Sequence, residues 1–429
     1  IPLFKRATEL DPNFALAYAR LGTIYNNSGE FEQASLYQTK AFELRDRVSE
    51  LERFYITCHF YNDILSDLPK ARDAYELWEK TYPRHSTPPV NLGRIYLALG
   101  QPEKALEKAR RAQELDADSV WPLYLFVDTY IAMSRFEEAK TFNQRLLAKS
   151  PDSFIPHNNS YLLAYVEGDR AAMDQEVASL RRKPGEEVIV ASQSFAAAME
   201  GRMRSAREIS KQAVELGQRA GFKESAAWVQ LSIAFADAIY GNHAAAKQRM
   251  SEALSHARSR NTEGQAVFVM NLTGDFARAQ QLTDDLTKRF PQDTIWNEII
   301  VPAMRASKEL QRKNPAKALE ALRPAEPYMT VPAHGVHLLA LYFRAQAHLA
   351  LRHPKEATAD FQKILDNRGV DIFSVLQPLS RVGLARAAAL DGDTAKARKF
   401  YQDFFALWKD ADADIHILQE VKAEYAKLK

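Results

Sequence analysis

One cysteine, Cys58, stands in 429 residues, so the chain can form no internal disulfide and no multi-cysteine zinc site. The ten histidines are scattered. His334 with His337 and His348 with His353 have ligand-like spacing, yet no cysteine or paired carboxylate stands near enough to complete a metal set. No apolar run approaches the roughly 18–20 residues of a membrane-crossing helix, and the opening IPLFKRATELDP is neither a signal peptide nor a Met-initiated terminus. Net charge is only +2, from 57 Lys and Arg against 55 Asp and Glu. It is spread along the chain, which removes the electrostatic argument for nucleic acid. Phosphotransfer motifs are missing as well: no Gly-x-Gly, Gly-Lys-Ser/Thr, His-Arg-Asp or Asp-Phe-Gly occurs. The sequence therefore leads us to expect no catalytic residue, no cofactor and no metal in this segment, no nucleic-acid or membrane partner, and a cytoplasmic setting.

What is present is a core-forming composition, 46% hydrophobic with 26% charged residues, arranged in a repeat. Loops of the form Gly-x-apolar-x-x-Ala recur, as in Gly29 to Ala34 and Gly100 to Ala105. The alanine serves as a ruler: Ala34, Ala71, Ala105, Ala139, Ala172, Ala206, Ala246, Ala279, Ala318, Ala357 and Ala397 stand 37, 34, 34, 33, 34, 40, 33, 39, 39 and 40 residues apart. About twelve residues before each marker the pattern calls for a small residue where helices touch, such as Gly22 or Gly93; His59, Val127 and Val267 depart from it. Five residues before the marker, Gly29, Gly100, Gly201, Gly241, Gly274 and Gly392 are placed to end a first helix in the left-handed conformation. The marker opens a second helix whose inward face continues four and seven residues on, for example Tyr75 and Trp78. Pro83, Pro151, Pro184 and Pro291 stop that helix. Each unit is thus a helix-turn-helix hairpin.

A pitch near 34 with Leu-Gly, Tyr, Ala, an aromatic, Ala and Pro in this order resembles the tetratricopeptide repeat. The fold expected is all-α, a right-handed α-solenoid of about eleven tetratricopeptide units closed by a C-terminal capping helix. Arg305 and Arg344 stand in place of the expected leucine, which with Val267 loosens the pattern in units eight to ten. Residues 1–12 read as the second half of a truncated repeat, so a longer native chain is expected upstream. Residues 13–185 keep the near-34 pitch, 186–410 a longer one, and 411–429 form the cap. The boundary at Arg181 to Gly185 is expected to mark longer helices; Pro324, Pro327, Pro332 and Gly335 are expected to form a long surface connection. The stretches 361–369, 392–412 and 423–428 resemble the C-terminal end of bacterial eukaryotic-like serine/threonine protein kinases that carry such arrays, and 44–50 with 82–84 their early repeats. That resemblance implies a regulatory interaction region behind a kinase domain. The effector region of a winged-helix regulator and a stand-alone assembly scaffold are the alternatives.

Register places Arg94, Tyr124, Asp128, His157, Asn158, Tyr161, Phe195, Trp228, Phe235 and Tyr342 on the concave face. This aromatic set with few charges suits an extended or helical peptide with apolar anchors. Ala19 and Thr23 stand where a carboxylate clamp of the repeat family would need Lys and Asn. The alternative is that the aromatics fill the interior of a tightly coiled superhelix. Basic clusters at Lys108, Arg110, Arg111 and at Arg202, Arg204, Arg207 are interleaved with acids and read as solvated faces. The register itself is testable: Ala105→Leu is expected to lower stability by about 1–3 kcal/mol through overpacking and Glu103→Leu to change it little. Coincident melting curves for the two variants would refute the register.

Overall fold

The computed structural model describes residues 1–329 and 336–428, without the side chains of Val336 and His337. His334, Pro332 and Gly335 lie outside the described residues. Among those described, every regular element is helical. Helix α1 (Pro2–Leu10) precedes eleven pairs: α2 (Ala15–Asn27) with α3 (Phe31–Glu43), α4 (Glu50–His59) with α5 (Leu68–Thr81), α6 (Thr87–Ala98) with α7 (Pro102–Leu115), and α8 (Trp121–Ala132) with α9 (Phe136–Lys149). Next come α10 (Phe154–Glu167) with α11 (Arg170–Leu180), α12 (Glu186–Met199) with α13 (Met203–Arg219), α14 (Lys223–Ile239) with α15 (His243–His256), and α16 (Arg260–Leu272) with α17 (Phe276–Arg289). The last pairs are α18 (Val301–Gln311) with α19 (Pro315–Ala321), α20 (Val336–Ala350) with α21 (Pro354–Asp366), and α22 (Leu376–Leu390) with α23 (Thr394–Leu407); α24 (His416–Lys427) closes the chain. This is an α-solenoid of eleven hairpins with a terminal cap helix.

Each hairpin turn solves the same backbone problem. The last carbonyls of the first helix need donors, and a left-handed residue lets the chain turn back to supply them. Gly29, Gly100, Gly201, Gly241, Gly274 and Gly392 all have positive φ, as do Gly168 and the non-glycines Ser66, Ser134, Lys313 and Arg352, one residue per hairpin. The following N–H bonds back five residues, as Glu30 to the Tyr25 carbonyl and Asp393 to the Ala388 carbonyl. The marker alanines are buried to within 1% exposure, except Ala172. In that fifth repeat the left-handed residue is Gly168, five before Met173, and Met173 is the buried one. The repeat is therefore offset by one residue from the alanine ruler. In the ninth repeat Met304 is buried beside an exposed Arg305. Arg344 of the tenth is held by Asp360, with Nε donating at 2.8 Å and Nη2 at 2.6 Å.

Pairs pack on pairs through the face that the marker opens. Tyr75, Trp78, Phe361, Ile364, Tyr401 and Phe404 are all at most 2% exposed. At the small-residue position a Cβ on Gly93 would fall 2.2 Å from Leu125 Cδ2 of the next repeat, so the close approach leaves no room for a side chain. The extra pitch after residue 185 has mixed sources. Helices α13 and α14 do reach 17 residues each, but a π-turn over Trp296–Ile300 and 3-10 turns over Arg323–Tyr328 and Arg368–Val370 account for the later lengthening. Pro324 and Pro327 sit in the first of those 3-10 turns.

The solenoid also closes on itself. Hairpin turns of the early repeats touch the inter-repeat junctions six to seven repeats later. Ser28, Glu30 and Glu32 bond to residues 224–225. The Ser66 carbonyl accepts from Thr294 N–H at 3.0 Å, and the Ile64 carbonyl from Arg260 at 3.0 Å. Ser134 Oγ accepts from Gly369 N–H at 3.1 Å. Trp408 Nε1 donates to the Met199 carbonyl at 2.9 Å, while Asp412 accepts from Arg204 N–H at 2.7 Å. Successive superhelical turns therefore rest on one another. Gly369→Ala, whose Cβ would fall 1.7 Å from the Ile131 carbonyl oxygen, is expected to cost about 1–3 kcal/mol in denaturant unfolding. Gly217→Ala, within α13 and with its nearest neighbour at 3.4 Å, is expected to be neutral or to gain up to about 1 kcal/mol.

Candidate partner-binding face

First helices of successive hairpins pack on one another, as α10 on α12 and α12 on α14, more closely than the second helices do, which puts the first helices on the inner side of the curve; the residue eleven before each buried marker forms a ladder along them. Counting unit five from Met173, six successive rungs are Arg94, Asp128, Leu162, Phe195, Phe235 and Phe268. Polar rungs give way to apolar ones. Arg94 is exposed, Asp128, Leu162, Phe195 and Phe235 are half-buried, and Phe268 is 3% exposed. Phe235 meets Phe268 edge to face, with ring centroids 6.3 Å apart. Trp228, one helical turn N-terminal to Leu231 on the same helix, meets Phe195 edge to face at 5.7 Å. Phe195 and Phe235 pack against the main apolar core and keep a solvent-facing edge, Phe268 lies within that core, and Trp228 packs on the smaller neighbouring cluster around Ala213 and Val229.

Tyr124 and Asp128 are four apart on α8 and share one stripe with Trp121. Trp121 is 51% exposed and its ring lies 5.6 Å from that of Tyr124. The Tyr124 hydroxyl meets Ser153 Oγ at 3.4 Å. Burial pushes the Asp128 carboxyl above its ordinary range, and the Arg94 charge opposes that rise. Trp121 is not among the residues that register places on the concave face; its signal in the sequence is the i, i+3 spacing to Tyr124.

The one-residue offset in unit five relocates two expected groove residues. His157 and Tyr161 are rotated off the inner ladder, by about 100° per residue of helix. His157 Nδ1 faces Glu176 Oε2 at 2.6 Å and Nε2 faces the Pro151 carbonyl at 3.0 Å, so the imidazole ties α10 to α11 and to the preceding turn. Tyr161 is 2% exposed and packs with Tyr165 against Phe373 from the next superhelical turn, the centroids 6.2 and 4.9 Å away. Asn158 remains half-buried and accepts from Ser192 Oγ at 2.8 Å, joining α10 to α12. Tyr342 is buried, its hydroxyl accepting from Gln346 Nε2 at 2.9 Å and its ring lying against Phe361. Interior packing thus claims Tyr161 and Tyr342, whereas Arg94, Tyr124, Asp128, Phe195, Trp228 and Phe235 keep accessible surface.

Elsewhere the charges are largely satisfied within the fold. Lys108 pairs with Glu79 at 2.6 Å, Arg111 with Glu114 at 3.3 Å, Arg202 with Glu200 at 2.7 Å and Arg207 with the fully buried Asp237 at 2.5 Å. Cys58 is buried, and desolvation holds its thiol well above the ordinary range. Among the described residues no helix is long and apolar enough to cross a membrane.

Residues 3–34 and 96–156 match family models described as tetratricopeptide repeat. The Cut9–Hcn1 hetero-tetramer of the APC/C shares this architecture with a TM-score of 0.54 at 14% identity, over 99% of this chain and 79% of that one. The fold is a tetratricopeptide-repeat solenoid. Yeast Tom70 covers 97% of the solenoid at a TM-score of 0.41 and 13% identity, with 96% of its own chain aligned. The CTR9 homolog of Arabidopsis thaliana is 28% identical over 141 residues, 31% of this tetratricopeptide solenoid and only 13% of that protein. Arrays of this class present extended concave surfaces along which partner segments can lie.

The coupling between Arg94 and Asp128 is directly measurable. Arg94 favours the ionised carboxylate, so Arg94→Ala is expected to raise the Asp128 pKa further. A carboxyl-carbon NMR titration of Asp128 in both proteins checks this, and an unchanged or lower midpoint would contradict it.

Proposed function

We propose that this chain is a protein-interaction scaffold whose inner face holds an extended or helical segment of a partner protein. The observation that carries the reading is the graded ladder: Arg94 and Asp128 beside Trp121 and Tyr124, followed by Leu162, Phe195 and Phe235 with Trp228. A segment with a polar stretch against units three and four and apolar anchors against units five to seven complements it. Concave aromatics on rigid helices bury large area with little loss of side-chain entropy. Asp128 and Arg94 would set the segment's direction through opposite charges.

The finer reading is that the array is the regulatory region of a larger bacterial signalling protein, a serine/threonine kinase whose catalytic domain stands upstream of Ile1, working in the cytoplasm. Its support is the resemblance of residues 361–369, 392–412 and 423–428 to the ends of such kinases. ATP-dependent phosphotransfer by the full-length protein tests that part.

For the groove, a pull-down identifies the partner and calorimetric titration measures it. Trp121→Ala, Tyr124→Ala and Trp228→Ala are each expected to weaken binding by about 2 kcal/mol or more with helicity intact. Tyr161→Ala is expected instead to cost about 3–5 kcal/mol of stability without a specific binding defect. Unchanged affinity in folded Trp121→Ala and Tyr124→Ala proteins would remove the site.

A further inference from the structure

The seam between the first and second superhelical turns contains an exchange of helix caps. Glu30, on the turn between α2 and α3, does not cap its own helix; its Oε1 accepts at 3.0 Å from the backbone N–H of Glu224 at the start of α14. Glu224 answers in kind, its Oε1 accepting at 2.7 Å from the backbone N–H of Glu32 at the start of α3. Ser225 Oγ completes the seam by donating to the Ser28 carbonyl at 3.0 Å. Both carboxylates are nearly sealed, at 8% and 5% exposure. Glu224 Oε2 is buried without a hydrogen-bond partner.

What surrounds the pair matters as much as the pair. Glu32 and Lys223 are exposed at the two helix starts; at the end of α13, Arg219 lies exposed and within 3.8 Å of Glu215; on α1, Lys5 lies over the Tyr25 ring. No cation among the described residues forms an ion pair with Glu30 or Glu224. The seam is held by two carboxyl side chains, each accepting from the other's helix N-terminus, and the Glu224 charge disfavours ionisation of Glu30.

We propose that Glu30 and Glu224 form a proton-dependent latch: the seam closes with one proton retained by the carboxylate pair and loosens when both are ionised, letting the first hairpin lift from the start of α14. At the other seams the carboxylates, Asp293, Asp412 and Asp414, have an arginine side chain or backbone amide as partner; this seam alone among those described sets two glutamates on each other's helix starts. Burial, with the Glu224 charge next, raises the Glu30 carboxyl from its ordinary 4.5 to about 7. The closed seam therefore holds a proton that the separated side chains release, so closure weakens as pH rises from the ordinary carboxylate range to about 7 and levels off above it. The inference stands apart from the groove reading, since it needs no partner.

Hydrogen exchange on the full chain reads the latch at the two bonded amides, those of Glu32 and Glu224. Protection factors, corrected for intrinsic exchange, are expected to fall by about tenfold per pH unit between pH 5 and 7 and then flatten. Glu30→Gln keeps the acceptor and cannot ionise, and is expected to hold both amides protected across pH 5–8. Glu224→Gln is expected to do the same and serves if the first variant fails to fold. The Gly369 amide, at a seam without paired carboxylates, is the internal control and should show no such slope. A flat wild-type profile, a slope that survives both Gln variants, or an equal slope at Gly369 would each overturn the latch.

Discussion

Ser225 reaches the carbonyl of Ser28 across 197 residues of chain, and the same kind of contact recurs at Ile64 with Arg260, Ser134 with Gly369, and Met199 with Trp408. The seating of early hairpin turns on later junctions is what determines the inner face. It sets how tightly the superhelix coils, and hence how enclosed the ladder of Arg94, Asp128 and Phe195 becomes. It places Phe373 over Tyr161. It also brings two glutamates together that lie nearly half the chain apart.

These seams are built mainly from polar contacts, and that has an energetic reason. Hairpin turns are where helix termini expose unpaired backbone groups. Two such edges brought together either satisfy one another or bury orphaned donors and acceptors, at a cost of about 1–3 kcal/mol each. The observed solution pairs them: Gly369 N–H with Ser134 Oγ, Thr294 N–H with the Ser66 carbonyl, Glu32 and Glu224 N–H with exchanged carboxylates. Each bond contributes only about 0.5–1.5 kcal/mol net. The packing between neighbouring hairpins, with Tyr75, Trp78, Phe361 and Phe404 almost wholly buried, supplies the larger share of stability.

The hairpins themselves could be read from the chain because their determinants are local. A buried alanine and a turn residue five positions earlier recur at short range, and the six glycines singled out by spacing all adopt the left-handed conformation. Ser66, Ser134, Lys313 and Arg352 do the same work without the glycine signature, which is why composition alone understated the pattern. Unit five misled because Ala172 offers an alanine one residue before the true buried position at Met173. A one-residue slip turns a helix by about 100°, enough to carry His157 and Tyr161 off the inner face. The seams had no local signal at all. They depend on rotations accumulated over six repeats, so nothing near Glu30 announces Glu224.

Solenoids ordinarily behave as one-dimensional stacks, each repeat leaning only on its neighbours and free to peel from either end. Here the junction after the last hairpin is fastened to the sixth, through Trp408 on Met199 and Asp412 on Arg204. A pull on the C-terminal end is therefore borne by the middle of the chain before the final hairpins can come away. The molecule carries load as a wound spring with its coils stitched together, and its repeats share their fate rather than unravelling in turn.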